Sequence, residues 1–193
     1  MRPLRTAAAR AEVEALMENR RQWQAKRGYT DARQHCPDAD TEDVGLYEDD
    51  ILVGYMRLHH RPVLEHWGPL GGEPCVLISH AHSVPARQDG IGRLMTLWAA
   101  DFAARIGCTW VRCEVREPKP GTATAPVSGR LSAYLQDQCG WQLVQLRTLT
   151  SFERLSHFQV RAQFRPGLTP IIRTDVAVRF QCLPAIEGEA GHG

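Results

Sequence analysis

The most constraining feature of the sequence is a junction at which an apolar strand runs through a glycine-containing turn into a long helix. Cys75–Ser83 is predicted to be the strand, with an apolar start and a polar end that carries two histidines. The turn is Arg87–Gly92, with the sequence RQDGIG. The helix repeats apolar side chains at a 3–4 spacing over four turns: Ile91, Leu94, Met95, Trp98, Phe102 and Ile106. The junction predicts a sheet strand that delivers the chain to the N-terminus of a neighbouring helix.

This junction also has the composition of a phosphate-binding site. Gly90 and Gly92 lack a Cβ, so main-chain N–H groups there can approach a ligand closely. A helix that starts at this point adds unpaired donors and the positive end of its dipole, and Arg87 and Arg93 add fixed charge. The alternative is a plain structural turn, and Met95 stands where a dinucleotide fingerprint needs its third glycine. We therefore predict a pyrophosphate held mainly by main-chain amides.

The other elements predict a mixed α/β domain, with a central β-sheet flanked by helices. Apolar periodicity predicts a first helix at Ala7–Lys26 and a short one at Leu131–Gln138. The remaining strands are predicted at Val44–Glu48, Ile51–Leu58, Trp110–Val115, Gln142–Leu149 and Thr174–Leu183, the first two joined by a turn at Asp49-Asp50.

Three segments are predicted to lie outside helices and strands. Arg61–Pro74 and Glu117–Gly129 are rich in Gly and Pro and are predicted to be loops. Thr150–Arg173 is longer than a hairpin connection, and we expect it to act as a lid or as the arm of a homodimer.

Length and charge limit the function classes. The 193 residues fit one domain over residues 1–183, followed by a tail at 184–193 that we expect to be disordered. Lys and Arg total 23 against 22 Asp and Glu, which argues against a nucleic-acid partner. There is no apolar run near the roughly 20 residues that span a bilayer. The N-terminal segment has no apolar signal-peptide core. We expect a cytoplasmic protein with no membrane partner.

Cysteines and histidines point to no metal. The six cysteines form no C-x-x-C pair and are predicted to be free, mostly buried thiols. Two groups of histidines could suggest a metal: His59 and His60 with His66, and the alternating pair His80 and His82. The remaining ligands of a metal site are not found at a recognisable spacing. We predict no metal site.

With its surroundings, the junction resembles the acetyl-CoA loop of the GNAT superfamily of N-acyltransferases. That loop reads [Q/R]-x-x-G-x-[G/A], and Arg87–Gly92 fits every specified position. Leu46–Glu48 and Leu52–Tyr55 resemble the central hairpin of the family, and Leu77–Val84 resembles the strand before the loop. Leu131–Trp141 is similar to the helix that closes in a Gly-aromatic pair. The resemblance covers the chain from about Met1 to Leu149.

The resemblance implies a single GNAT-like domain that uses acetyl-CoA as cosubstrate and transfers the acetyl group to the primary amine of a small molecule. Two alternatives stay open: an acetyltransferase for protein N-termini or lysines, and an acyl-CoA-binding protein without catalysis. The residues implied to bind the cofactor are Ser83, Val84, Arg87, Gln88, Asp89, Gly90, Ile91, Gly92 and Arg93.

The general base has three candidates. The resemblance favours Glu114, because Cys113–Arg116 is similar to the strand on which ribosomal-protein N-acetyltransferases carry their base. The alternative is a carboxylate that faces solvent or pairs with an arginine. His80 and His82 are rivals, since an imidazole with a pKa near 6.5 suits proton removal at neutral pH. Packed strand histidines are the alternative for both.

The general acid is where the chain departs from the family pattern. The family places a tyrosine four residues before the glycine of the Gly-aromatic pair, and Gln136 stands there in this chain. Tyr134 is the nearest tyrosine, and two residues along a helix turn a side chain by roughly 200°. We therefore expect Tyr134 to act as the acid only if the helix carries a bulge, and otherwise to be a packing residue.

Charge segregation is the remaining clue to the acceptor. Seven acids and no Lys or Arg lie between Gln34 and Met56, which favours a cationic amine unless the run is only a solvated face. Six arginines against two acids lie in Trp141–Cys182, where they could meet the phosphates of the coenzyme. The Trp67-Gly68-Pro69 loop is a candidate wall of an apolar pocket.

Overall fold

The described part of the chain forms one sheet with helices on both faces. The computed structural model describes residues 1–26, 40–84, 90–118, 130–151, 153–168 and 172. Its strands are β1 (Arg2–Pro3), β2 (Thr41–Glu48), β3 (Ile51–His59), β4 (Cys75–Ser83), β5 (Trp110–Pro118), β6 (Gln142–Thr148) and β7 (Glu153–Arg161). Its helices are α1 (Ala7–Ala25), α2 (Ile91–Arg105) and α3 (Arg130–Asp137), with 3-10 segments at Glu65–Gly72 and Pro166–Leu168. None of the helices in this described portion is long and apolar enough to cross a membrane.

The strand order positions the candidate site. The described strands lie in the order β1-β2-β3-β4-β5-β7-β6, and neighbours are antiparallel except for β4 and β5. This parallel pair needs a crossover, which α2 supplies. The pair runs from Cys75 opposite Trp110 to Ile78 opposite Cys113, whereas β4 continues to Ser83 and β5 to Pro118. The C-terminal halves of β4 and β5 therefore extend beyond the last described residues at which the two strands pair with each other.

The two faces of the sheet bury different layers. Trp98 and Phe102 of α2 pack in the main core with Val76, Val111 and Phe158. On α1, Val13 and Leu16 pack in a second cluster with Leu4, Leu52 and Tyr55. Because neighbours along a strand point to opposite faces, Met56 in the first cluster and Tyr55 in the second place α2 and α1 on opposite sides.

A third cluster lies under the 3-10 segment. Trp67 packs there with Leu64 and Cys75. Cys75 is adjacent to Val76 of the main core, so this segment covers the face of the sheet opposite α2. The prediction of an irregular loop at Arg61–Pro74 was therefore incomplete, because the segment forms 3-10 turns at Glu65–Gly72 around a buried tryptophan.

Most of the predicted elements are confirmed within a few residues. This holds for the first helix, the hairpin, the strand and helix of the junction, the next strand, the short helix and the strand after it. At the hairpin turn, Asp49 and Asp50 have φ values of 47° and 65°, as a two-residue turn with both central residues left-handed requires. The proposed strand Thr174–Leu183, the tail at 184–193 and residues 119–129 of the expected loop lie outside the described residues.

The expectation of a lid or dimer arm at Thr150–Arg173 was wrong for its first half. That part contains β7, which inserts between β5 and β6 and pairs with both. Periodicity missed this strand because a central strand is covered on both faces and does not alternate. Five consecutive residues, from Leu155 to Gln159, are all buried.

The cysteines follow the prediction only in part. Cys75, Cys113 and Cys139 are free and buried. Cys108 is disulfide-bonded, so the expectation of free thiols was wrong at this position.

Candidate active site

The N-terminus of α2 is built by the second half of the predicted phosphate turn. Gly90 is the residue before the helix, and its φ of 69° is a left-handed conformation that a residue with a Cβ adopts only at a cost. Its carbonyl accepts the N–H of Leu94 at 2.9 Å, which closes the first turn. Ile91, Gly92 and Arg93 form that turn. Arg87, Gln88 and Asp89 lie outside the described residues.

Gly92 makes room for a side chain of the neighbouring helix α3. A Cβ built on Gly92 would lie 2.6 Å from the hydroxyl oxygen of Tyr134 and 3.0 Å from its ring. The missing side chain is therefore needed for the close approach of α3 to α2. It does not by itself indicate a ligand in that space.

Tyr134 lies at this contact with its hydroxyl group beside the start of α2. Burial and the neighbouring thiol of Cys139 raise the pKa of Tyr134, so the phenol stays protonated at neutral pH. The residue thus lies against the start of α2, in a regular helix, as a packing residue would.

Ser83 and Val84 at the end of β4 make main-chain bonds within the protein. The N–H of Val84 donates to the carbonyl of Val53 at 3.0 Å. The carbonyl of Ser83 accepts a bond of 3.2 Å from the guanidinium of Arg20. The end of β4 is thereby fixed between β3 and α1, next to the start of the turn.

Glu114 is the first residue of β5 beyond the pairing with β4. One carboxylate oxygen, Oε1, lies 2.5 Å from Nε2 of His66 and accepts the indole N–H of Trp67 at 2.8 Å. Among the described contacts, Glu114 pairs with His66 and Trp67 and not with an arginine, which was the alternative expected for this carboxylate. Burial opposes its ionisation, but the bonds from His66 and Trp67 outweigh that effect and hold the pKa of the carboxyl below its usual value.

His157 on β7 completes a cluster around Glu114. It lies directly opposite Glu114 in the strand register, and its Nε2 is 3.8 Å from Oε1 of that residue. The imidazole stacks on the indole of Trp67, with ring centroids 4.4 Å apart and planes 12° apart. Its Nδ1 is 3.0 Å from Oε1 of Gln145 on β6. Burial lowers the pKa of His157, which favours the neutral ring.

Sequence reasoning did not connect His66, Trp67 or His157 with Glu114. His157 lies on the strand that periodicity missed, and the register that brings it opposite Glu114 is not readable from spacing. Trp67 was expected to line an apolar pocket, but it is buried between His157 and the guanidinium of Arg112, which lies 5.1 Å from its ring centre. The indole serves this cluster as a donor and a stacking surface.

His80 and His82 are on the extended half of β4. Nδ1 of His80 lies 3.2 Å from the hydroxyl of its neighbour Ser79. The ring of His82 stacks on Tyr55 at 6.1 Å between centroids. His82 thus contacts β3, which pairs with β4 on the side away from β5.

The acidic stretch carries less free charge than its composition suggests. Asp43 accepts two bonds from Arg57, at 2.7 and 2.9 Å, and Glu42 accepts one from Arg5 at 2.8 Å. Asp50 pairs with Arg2 at 2.8 Å. Arginines outside the stretch therefore offset these acids, and composition alone overstated the field available to attract a cationic amine.

Comparisons with known proteins identify the fold. No protein-family profile matches the sequence. No curated protein sequence matches it either. A GNAT-family acetyltransferase from Listeria monocytogenes superposes with a TM-score of 0.55 at 13% identity, over 81% of this chain and 92% of the other.

Two further solved structures agree. An aminoglycoside 6'-N-acetyltransferase complexed with coenzyme A has a TM-score of 0.55 at 12% identity, over 83% of this chain and 94% of its own. A candidate N-acetyltransferase from Lactobacillus plantarum has a TM-score of 0.53 at 17% identity, over 82% and 94%. Together with the seven-stranded mixed sheet of the described residues, these similarities show that the chain has the fold of the GNAT acetyltransferases.

Proposed function

We propose that this protein is an acetyl-CoA-dependent N-acetyltransferase that acts on the primary amine of a small molecule. The observation that carries the proposal is the position of Glu114, an ionised carboxylate at the point where β4 and β5 extend beyond their pairing. The coenzyme A complex of the aminoglycoside enzyme supports the choice of cosubstrate, because that protein shares the fold.

The start of α2 is the proposed place of the coenzyme pyrophosphate. Gly90 holds the turn in a left-handed conformation, so that the main chain from Ile91 onward begins the helix with its N–H groups directed at the turn. We assign the cofactor loop to the residues of the family motif and its flanks: Ser83, Val84, Arg87, Gln88, Asp89, Gly90, Ile91, Gly92 and Arg93. Of these, we expect Gly92 to act indirectly, through its contact with Tyr134.

The reaction we propose is direct attack on the thioester. The lone pair of the amine nitrogen forms a C–N bond with the carbonyl carbon, and the C–S bond breaks with its electrons on the sulfur of coenzyme A. Glu114 takes the proton that the nitrogen loses, because its carboxylate is charged at neutral pH and partly exposed. Thiolates are stable leaving groups, so we assign no acid to Tyr134.

The test compares two carboxylate variants in a thiol-release assay with acetyl-CoA and a panel of small amines. We expect Glu114→Gln to lower kcat by about 10²- to 10⁴-fold, the range that loss of a general base costs. Glu65→Gln is the matched control, since Glu65 is exposed on the 3-10 segment beside the cluster. Equal turnover in both variants would remove Glu114 from the mechanism.

The same assay separates the acceptor classes. A panel of peptides with free N-termini and lysines is run in parallel with the amines. Release of thiol with peptides alone would replace the small-molecule proposal by protein acetylation. Binding of acetyl-CoA without release on either panel would leave a coenzyme-binding protein and overturn the proposed catalysis.

A further inference from the structure

The cluster around Glu114 brings three titratable side chains close together, an arrangement that proton transfer by Glu114 alone does not require. Its three titratable groups come from three separate elements: His66 from the 3-10 segment, Glu114 from β5 and His157 from β7. One ligand-type atom from each, two imidazole nitrogens and a carboxylate oxygen, lies within 4.8 Å of the others. The three groups therefore converge on one small volume.

The buried histidine presents a lone pair to this volume. His157 is wholly buried, and the amide oxygen of Gln145 can only accept, so Nδ1 of His157 carries the ring proton. Nε2 is then an acceptor, and it faces another acceptor, Oε1 of Glu114, at 3.8 Å. Within the described part of the chain, Nε2 of His157 is buried with no hydrogen-bond partner. Two electron-rich atoms that face each other in a buried position are stabilised by a cation between them.

The surroundings of the cluster are those of a metal site. Histidines that bind a metal through one nitrogen usually donate the other N–H to an oxygen, as His157 does to Gln145. The carboxylate of Glu114 is likewise held by the indole N–H of Trp67 at 2.8 Å. Stacking on Trp67 fixes the plane of the His157 ring. Both ligands are thus oriented by neighbours of the kind found around protein-bound metals.

The distances fit an ion of the size and preference of zinc. Bonds of about 2.0–2.1 Å in a tetrahedron place ligand atoms roughly 3.3 Å apart, between the 3.8 Å of His157 to Glu114 and the 2.5 Å of His66 to Glu114. To reach the tetrahedral spacing of roughly 3.3 Å from its present 2.5 Å, Nε2 of His66 must move away from the Glu114 oxygen by less than about 1 Å. Its side chain is 42% exposed, so it can do so. Its Nε2 proton leaves or moves to Nδ1 on binding.

We propose that His66, Glu114 and His157 bind a divalent transition-metal ion, for which Zn²⁺ is the best match. Two imidazoles and one carboxylate suit zinc, and three protein ligands leave a fourth position open. The exposed side chain of His66 leaves the cluster open to solvent on its side. If the proposed acetyl transfer also holds, the ion and the acceptor amine compete for the carboxylate of Glu114, and zinc inhibits the enzyme.

The binding test uses the full chain without a histidine tag, stripped with a chelator. Zn²⁺ is titrated against a chromophoric chelator, and Co²⁺ is added separately as a spectroscopic probe. We expect the wild-type chain to bind one ion in this site, with the intense visible bands of four- or five-coordinate Co²⁺. His66→Gln and Glu114→Gln should each weaken this site by at least the 10- to 100-fold that changes beside a ligand cost.

Glu65→Gln is again the control, and it should bind as the wild type does, because Glu65 is exposed next to His66 and outside the cluster. Circular dichroism melts show that each variant is folded, and His66 is exposed enough for its loss to be tolerated. The proposal is overturned if the wild type gives no such Co²⁺ bands, or if the two ligand variants bind like Glu65→Gln. Because these readouts do not involve acetyl-CoA, a failure of the proposed enzyme activity leaves them unaffected.

Discussion

At the scale of single residues, the contact of Gly92 with Tyr134 shows how one motif can have two readings. A glycine at the start of a helix is expected where a ligand approaches the main chain. In this fold the space beside Gly92 is taken by the phenol of Tyr134. The same glycine therefore allows two helices to approach closely, and Tyr134, the tyrosine nearest to the position of the family's acid, packs between them.

Replacing Tyr134 tests this reading. We expect Tyr134→Phe to lower the free energy of unfolding by about 1 kcal/mol, since it removes the hydroxyl that fills the space beside Gly92 between α2 and α3. Turnover should stay within about twofold, whereas loss of a general acid would cost about 10²-fold or more. Urea unfolding and the thiol-release assay measure the two effects.

Tyr47→Phe is the control for this prediction. It removes a hydroxyl of the hairpin that donates to Glu12 at 2.7 Å, far along the chain from the junction. A selective collapse of kcat in Tyr134→Phe, with stability and the Tyr47 variant unaffected, would restore Tyr134 as the acid.

At the scale of elements, β7 decides the composition of the site. It separates β5 from β6, although β6 precedes it in the sequence, and it brings His157 opposite Glu114. The junction of β4 and α2 could be predicted because glycine spacing and helical periodicity are local signals. β7 could not, because its five consecutive buried residues lack the alternation that identifies a half-exposed strand.

The difference between a central and an edge strand can be measured. Phe158 of β7 is fully buried in the main core, so we expect Phe158→Ala to lower the free energy of unfolding by about 3–5 kcal/mol. Leu146 of β6 is 54% exposed, and Leu146→Ala should change the free energy of unfolding by less than about 0.5 kcal/mol. Urea unfolding of both variants gives the comparison, and similar losses would contradict the strand order.

At the scale of the whole molecule, α2 couples the proposed cofactor site to the core. Its first turn carries the cofactor motif, and its buried face supplies Trp98 and Phe102 to the main core. A ligand held at the start of α2 thus stabilises an element that packs in the main core. Binding should be visible as global stabilisation.

We therefore expect acetyl-CoA to raise Tm. At a concentration of about 100 Kd, binding to the native state adds about 2.7 kcal/mol. For a chain of this size, 1 kcal/mol corresponds to roughly 2–4 °C, so the expected shift is about 5–10 °C. NAD at the same concentration is the control, because it carries a pyrophosphate but no thioester arm. Equal shifts with both would indicate a general anion site instead of a coenzyme A site.

The α/β class, the hairpin and the strand-turn-helix junction could be predicted because each depends on residues close together in the chain, and the resemblance of Cys113–Arg116 to a family strand made Glu114 a candidate. The surroundings of that carboxylate depend on the tertiary structure. His66, Glu114 and His157 are far apart in the sequence, and they meet through the register of β5 with β7 and the packing of Trp67. Register and packing are set by the burial of whole faces, which no local pattern encodes.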